Sequence, residues 1–280
     1  MQPISIVYEE PHFLVVNKPA ALFSQAPAGI DSLQSRLILQ LKQRDQHPGE
    51  PFVGLPHRLD RGTSGIMLIA RNQRALKRFG EQFQSRKVSK HYLAVVEVDF
   101  PNSATHRANA EQRWEDYLRK IPDQPRAEVV ASDAEGAKLA VASVECLGNA
   151  SGQCLLRVKL ETGRMHQIRV QAASRGLPVV GDASYGAKLP WKTVTEVAGT
   201  SSDAQVSDAQ VSDSTHTQLD LTLLEPHTHP PIALHAWSLE FRHPQTAKAL
   251  RFAAPVPPNW QQLPDEMLAC LSVNSIIIAR

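Results

Sequence analysis

Residues 138–147 and 153–161 read as two strand-like arms around GNASG, the second alternating Leu156, Val158 and Leu160 against Arg157, Lys159 and Glu161. A period of two on either side of a short turn predicts an antiparallel hairpin. That excludes an all-parallel sheet built from βαβ units alone. ISIVY at 4–8 and FLVV at 13–16, separated by EEPH, repeat the pattern, and HYLAVVEV at 91–98, LHAWSLEFRHP at 234–244 and ALRFAAPVP at 249–257 add further strands. There is no regular βαβ alternation and no glycine-rich nucleotide loop, so the expected class is α+β, a mainly antiparallel mixed sheet with flanking helices in one domain.

Helices fill some of the gaps. Asp31 is placed to cap a helix that puts Leu33, Leu37, Ile38 and Leu41 on one face, and Asn72 to cap another with Leu76, Phe79 and Phe83 inward. TGRMHQIRVQAASRG at 162–176 reads as a loop entering a helix that ends at Gly176. Residues 101–135 are polar and weakly patterned, which predicts a long surface excursion. Residues 193–220 lack Lys and Arg and contain SDAQVSDAQV, a low-complexity surface insertion.

With 42% hydrophobic and 21% charged residues, the 280-residue chain is not disordered throughout. No secretory signal or membrane-length apolar run is visible, and Cys146, Cys154 and Cys270 match no finger spacing. Reduced thiols in a cytoplasmic protein are the expectation, with Cys146 and Cys154 inert and buried. The metal reading is weak: His227 and His229 sit between prolines, and no HExxH or carboxylate partner accompanies them or His235.

A net charge of +2 conceals sorting. Residues 51–95 carry nine Lys/Arg against two acids and residues 156–192 seven against two, leaving −10 elsewhere. Two basic segments in an otherwise acidic chain suit a polyanion lying across one face; solvated helix surface explains the run at Arg74, Lys77 and Arg78 equally well. Asp60 sits in the polar turn of HRLDRGTSG between Arg58 and Arg61, ahead of a core strand at 66–70. Nearby cations favour its charged form, available as nucleophile or base, whereas the plainer reading makes it a turn cap salt-bridged to arginine. Arg164, His166 and Arg169 form a second polar cluster at a helix entry, where phosphate contacts are also favoured.

HRLDRGTSG at 57–65, SKHYLAVV at 89–96 and TGRMHQIRVQAASRGLPVVGDASYG at 162–186 together resemble the RluA-type family of RNA pseudouridine synthases. The flanking IVYEEPHFLVVNKPAAL and LHAWSLEFRHP fall in the order that family uses, and the resemblance omits only 101–135 and 193–220. It implies Asp60 as the catalytic aspartate, Tyr92 as the aromatic residue on the target base, and Ile168 with Arg169 as the aliphatic and basic pair beside the aspartate. Arg58 is implied as an arginine holding the opened RNA, and Gln171 stands where the family commonly has His. The implied reaction isomerises uridine in structured ribosomal or transfer RNA by base flipping, without cofactor or metal. The pattern starts at residue 4, so no N-terminal S4 domain is expected. A monomer needing no obligate protein partner and no membrane is expected, with RNA chosen by the catalytic domain itself. Two alternatives remain: a non-catalytic RNA-binding protein keeping the fold, and a carboxylate-based glycoside or nucleoside hydrolase, for which a second acid near Asp60 is lacking.

Overall fold

The protein is described here from a computed structural model covering residues 2–46, 49–98, 111–193 and 230–274. Phe13–Lys18 (β2) and Ser64–Ala70 (β3) are apolar at consecutive rather than alternate positions, and both are buried along nearly their whole length. Such strands need a layer on each face and so take an interior place in a sheet. They pair antiparallel from Phe13 opposite Ala70 to Lys18 opposite Gly65, with Ser5–Glu9 (β1) outside β2. The remaining strands are Ser89–Glu97 (β4), Glu111–Lys120 (β5), Ala127–Val130 (β6), Lys138–Ala150 (β7), Gln153–Leu160 (β8), Leu234–Arg242 (β9) and Ala249–Ala253 (β10). Among the described residues they form one sheet in the order β1-β2-β3-β9-β4-β8-β7-β5-β6, with β10 also on β9.

Only β3 and β9 run parallel; the other pairings are antiparallel, as expected of a mainly antiparallel mixed sheet. That parallel joint depends on Gly65, whose φ is +118° and where an added Cβ would lie 2.2 Å from the Ala236 carbonyl oxygen. The predicted hairpin is β7–β8. Its turn residues Ser151 and Gly152 both have positive φ, the geometry that matches strand twist in a two-residue loop. Between Cys146 and Gly148 a bulge shifts the register. Cys146 and Cys154 are buried, free thiols with their sulfurs 2.7 Å apart.

Two expectations are corrected. Over its described residues, 111–135, the segment 101–135 is not simply a surface excursion, because β5 and β6 pair with each other and β5 pairs with β7. In β5 only Trp114 and Leu118 are buried out of ten residues, too sparse an alternation to reveal a strand that cross-strand pairing sustains. The first helix, Leu33–Arg44 (α1), is capped by Ser32 and not Asp31: Ser35 N donates to Ser32 Oγ (3.1 Å) and Ser32 N to Ser35 Oγ (3.0 Å). Asp31 instead pairs with Arg36. Asn72 does cap Gln73–Gln84 (α2), accepting from Ala75 N at 2.8 Å. The expected insertion at 193–220 lies outside the described residues beyond Thr193.

Two large apolar clusters cover the sheet, with a small third of Leu118, Ala127, Ala140 and Val170 under Tyr185. One joins β1–β3 to α1 and α2 through Phe13, Leu33, Leu37, Phe79 and Phe241. The other joins β4, β7 and β8 to Gln167–Ala173 (α3) and Asp265–Asn274 (α4) through Leu155, Val158, Ile168, Trp260 and Met267. Tyr92 packs against both. Among the described residues no helix is long and apolar enough to cross a membrane.

Two histidines inside this framework are neutral by construction. His57 Nε2 accepts from Leu68 N (2.9 Å), while His235 contacts Ser64 Oγ (2.9 Å) and the Ala254 carbonyl (3.3 Å). Burial pushes His57 down to about 3 and His235 down to about 4. Between pH 6.5 and 4 the unfolded chain therefore binds protons that the fold refuses, so stability falls as pH falls. At pH 5 the two together cost on the order of 4 kcal/mol. Thermal melts should drop steeply from pH 7 to 5, and less steeply in His235→Asn; a melting temperature flat across that range contradicts this assignment.

Candidate active site

A cleft of about 1100 Å³ opens where the two clusters meet, walled by Leu59 and Val88 from one and Leu160, Ile168 and Leu234 from the other. Asp60 stands in it on the turn ahead of β3. Thr63 N donates to the Asp60 carbonyl (3.1 Å), closing that turn. Behind it Leu59 N donates to Ser24 Oγ (3.0 Å) while the same hydroxyl donates to the Leu59 carbonyl (2.7 Å). Lys18 pins the turn from below. Fully buried, its Nζ donates to the carbonyls of Pro19 (2.9 Å), Leu22 (2.7 Å) and Arg61 (3.4 Å), three acceptors for the three hydrogens of an ammonium. Burial pulls this amine down to about 7, opposed by the Asp60 charge.

Asp60 is 30% exposed at its side chain, and Arg169 Nη1 lies 3.4 Å from its Oδ2. Arg169 is in turn gripped by Asp182, whose side chain is only 1% exposed: Nε donates to Oδ2 (2.5 Å) and Nη2 to Oδ1 (2.8 Å). Two parallel bonds fix the plane of the guanidinium, leaving Nη1 to face Asp60. Tyr185 completes the cage, its ring centroid 4.9 Å from the guanidinium carbon. Its hydroxyl accepts from Ala127 N (2.9 Å) and lies 2.9 Å from His166 Nδ1. The other ring nitrogen, Nε2, lies 3.9 Å from Asp60 Oδ2. Burial, first among several influences, lowers the His166 pKa and keeps the ring neutral.

All five residues expected at the site, Arg58, Asp60, Tyr92, Ile168 and Arg169, line this one cleft. His166 precedes α3 with φ +52°, which turns it toward Asp60 beside Arg169. Tyr92 lies on β4 at a register shift against β9. Desolvation, with the Asp60 charge adding to it, pushes its phenol pKa up. The tyrosine is therefore a phenol and not a phenolate. The arginines flanking Asp60 do not all serve its charge. Arg58 is exposed, and Arg61 lies over the Phe23 ring, its guanidinium carbon 4.6 Å from the centroid. Gln171 is wholly buried and donates to Asp116 (2.7 Å), outside the cleft.

Of the basic run at Arg74, Lys77 and Arg78, none lines the cleft; Arg78 donates to the Pro244 carbonyl. Arg86, Lys90 and Arg164 do line it. Sequence reasoning missed Asp182 and Tyr185, although GDASYG stood at the end of the recognised motif. It also gave no role to the lysine of NKP.

A buried arginine offered to one carboxylate by another, in a basic cleft at the middle of a mixed sheet, suits an enzyme acting on a nucleic acid. The chain belongs to the RNA pseudouridylate synthase family, whose model matches residues 12–174, a span that includes Asp60, Tyr92 and Arg169. It is accordingly an isomerase of uridine in RNA, of the RluA type. It is 34% identical over 277 residues to the "ribosomal large subunit pseudouridine synthase D" of Xylella fastidiosa, covering 98% of this chain and 71% of that one. To the protein of the same name from Xanthomonas campestris pv. campestris it is 33% identical over 263 residues, covering 93% and 68%. The solved structure of human RNA pseudouridylate synthase domain containing 4 shares the fold, with a TM-score of 0.63 at 19% identity over 96% of this chain and 93% of that one.

Proposed function

We propose that this protein converts one or more uridines of large-subunit ribosomal RNA to pseudouridine, with Asp60 as the catalytic carboxylate acting on a nucleotide flipped into the cleft. The Arg169–Asp60 contact, braced by Asp182, is the observation that carries this reading. The ribosomal substrate is taken from the relatives, which are named for it.

Isomerisation breaks the N1–C1′ bond, turns the base over and joins C5 to C1′. The C5 proton ends in solvent and N1 takes one up from it, so atoms and electrons balance without redox chemistry. Asp60 contributes by attacking C1′ or by removing the C2′ proton; both routes need an ionised carboxylate at the sugar. Arg169 Nη1, 3.4 Å from Oδ2, holds that carboxylate in place. Tyr92 and Ile168 offer the flat and aliphatic surfaces that hold the freed uracil while it rotates. The Tyr92 hydroxyl, in the same cleft, is a candidate for taking the C5 proton. A target within folded RNA must leave its stack to reach Asp60, and Arg58, exposed beside it, meets the opened strand. No step calls for a cofactor.

The cleft cations set the salt dependence. Neutralising Arg86 and Arg164 together should reduce the slope of log affinity against log salt by roughly 1 to 2, at about 0.7–0.9 per phosphate contact. Neutralising Arg74, Lys77 and Arg78 should leave it unchanged. The reverse pattern would place the RNA on α2 instead of in the cleft. The function itself is tested by mapping pseudouridine in a large-subunit ribosomal RNA transcript incubated with the protein. New pseudouridine at defined uridines is expected, and a transcript left unmodified while it binds overturns the reading.

A further inference from the structure

Phe23 is among the few large apolar side chains left exposed, at 37%, and it stands on the rim of the cleft that holds Asp60. Nothing in the catalytic reading uses it. Arg61 covers the ring from one side and is anchored by a bond from Nε to the Ala21 carbonyl (3.3 Å). The backbone under Phe23 is equally fixed: Leu33 N donates to its carbonyl at 2.7 Å, and it bridges to Ser32.

The adjoining residues bind this segment to the catalytic turn. Ser24 exchanges hydrogen bonds with both backbone groups of Leu59, and Lys18 joins the Leu22 carbonyl to that of Arg61. Residues 21–24 and 59–61 are thus one clamped unit that carries Asp60 and Phe23 together. An aromatic ring held this way is already ordered, so a planar ligand stacking on it pays little entropy.

The surroundings select the ligand. Arg58, Arg61, Arg86, Lys90 and Arg164 line the same cleft, against Asp60 and Glu161 as its acids. A positive groove with an exposed, preset aromatic ring is the combination that binds single-stranded nucleic acid, phosphates on the cations and a base on the ring. We propose that the Phe23–Arg61 stack is a base-binding platform that receives the base of a nucleotide neighbouring the target uridine. This rests on the proposed reaction for the identity of the strand, while the platform itself depends on binding alone. With the target in the cleft and its neighbour on the rim, the strand is splayed, and each base has its own surface.

The test is a double-mutant cycle on binding, made in the Asp60→Asn background so that no turnover intervenes. The probe is a nine-nucleotide single-stranded RNA with a central uridine, intact or with an abasic site at each other position in turn. Phe23→Ala should weaken the intact RNA roughly 5- to 100-fold, with Phe23→Trp restoring it and the melting temperature unchanged. One abasic position should cost the parent the same factor and cost Phe23→Ala nothing more. If Phe23→Ala binds as the parent does, or every abasic loss multiplies with it, there is no platform. Loss of self-association in Phe23→Ala with RNA binding intact would assign the ring to a contact between copies and overturn the proposal. Failure of the proposed reaction shows separately, as a wild-type protein that leaves ribosomal RNA unmodified yet gives the same binding cycle.

Discussion

Asp182→Ala should lower stability by about 3–5 kcal/mol, because it strands a buried guanidinium whose two strongest bonds go to that carboxylate. For a chain of this size that is a fall of roughly 10 °C in melting temperature. Activity should fall further than stability accounts for. Arg169 reaches Asp60 with Nη1 only because Asp182 holds Nε and Nη2, so a freed side chain no longer presents its charge at one place. Two further variants separate the effects. Replacing the pair with Arg169→Met and Asp182→Leu removes both buried charges and should recover much of the lost stability, since apolar substitutes are often neutral or better. That double variant should remain inactive. Melting of Asp182→Ala within a couple of degrees of wild type, or activity in the double variant, contradicts the bracing role.

The pair also shows where reading the sequence stopped short. Asp60, Tyr92, Ile168 and Arg169 were recognisable because the motifs carry them, and the cleft gathers all four. Asp182 lay in the same motif but thirteen residues beyond Arg169, and no helical or strand period brings two such positions together. A short loop past α3 and a 3₁₀ turn at Ala183–Tyr185 do so instead. Strands with continuous burial, such as β3, were plain from composition. β5 was hidden because its two buried residues are separated by polar ones and its stability comes from pairing with β7. The cap of α1 moved by one residue, from Asp31 to Ser32, since either side chain suits the role and only the extended backbone at Ser32 decides.

Asp60→Asn is expected to abolish isomerisation. An amide is neither a nucleophile toward C1′ nor a base toward C2′, so the loss should be on the order of 10⁴-fold or more. Folding and RNA affinity should survive, because the turn is held by backbone bonds, by Ser24 and by Lys18 rather than by the carboxylate. A residue that only capped the turn would behave in the opposite way. Asparagine would keep much of the activity, and Asp60→Ala would cost about 0.5–2 kcal/mol of stability. Melting temperatures of the two variants near or above that of wild type would fit a carboxylate kept for chemistry.

The direct measurement is tritium release from large-subunit ribosomal RNA labelled at C5 of uridine, under single-turnover conditions, with binding and melting followed on the same samples. Wild-type protein should release tritium in proportion to the pseudouridine formed. Asp60→Asn and Asp60→Ala should bind that RNA as tightly and release none above the protein-free control. Turnover by Asp60→Asn within about tenfold of wild type, a difference of only about 1.4 kcal/mol in barrier, would contradict the catalytic assignment of Asp60.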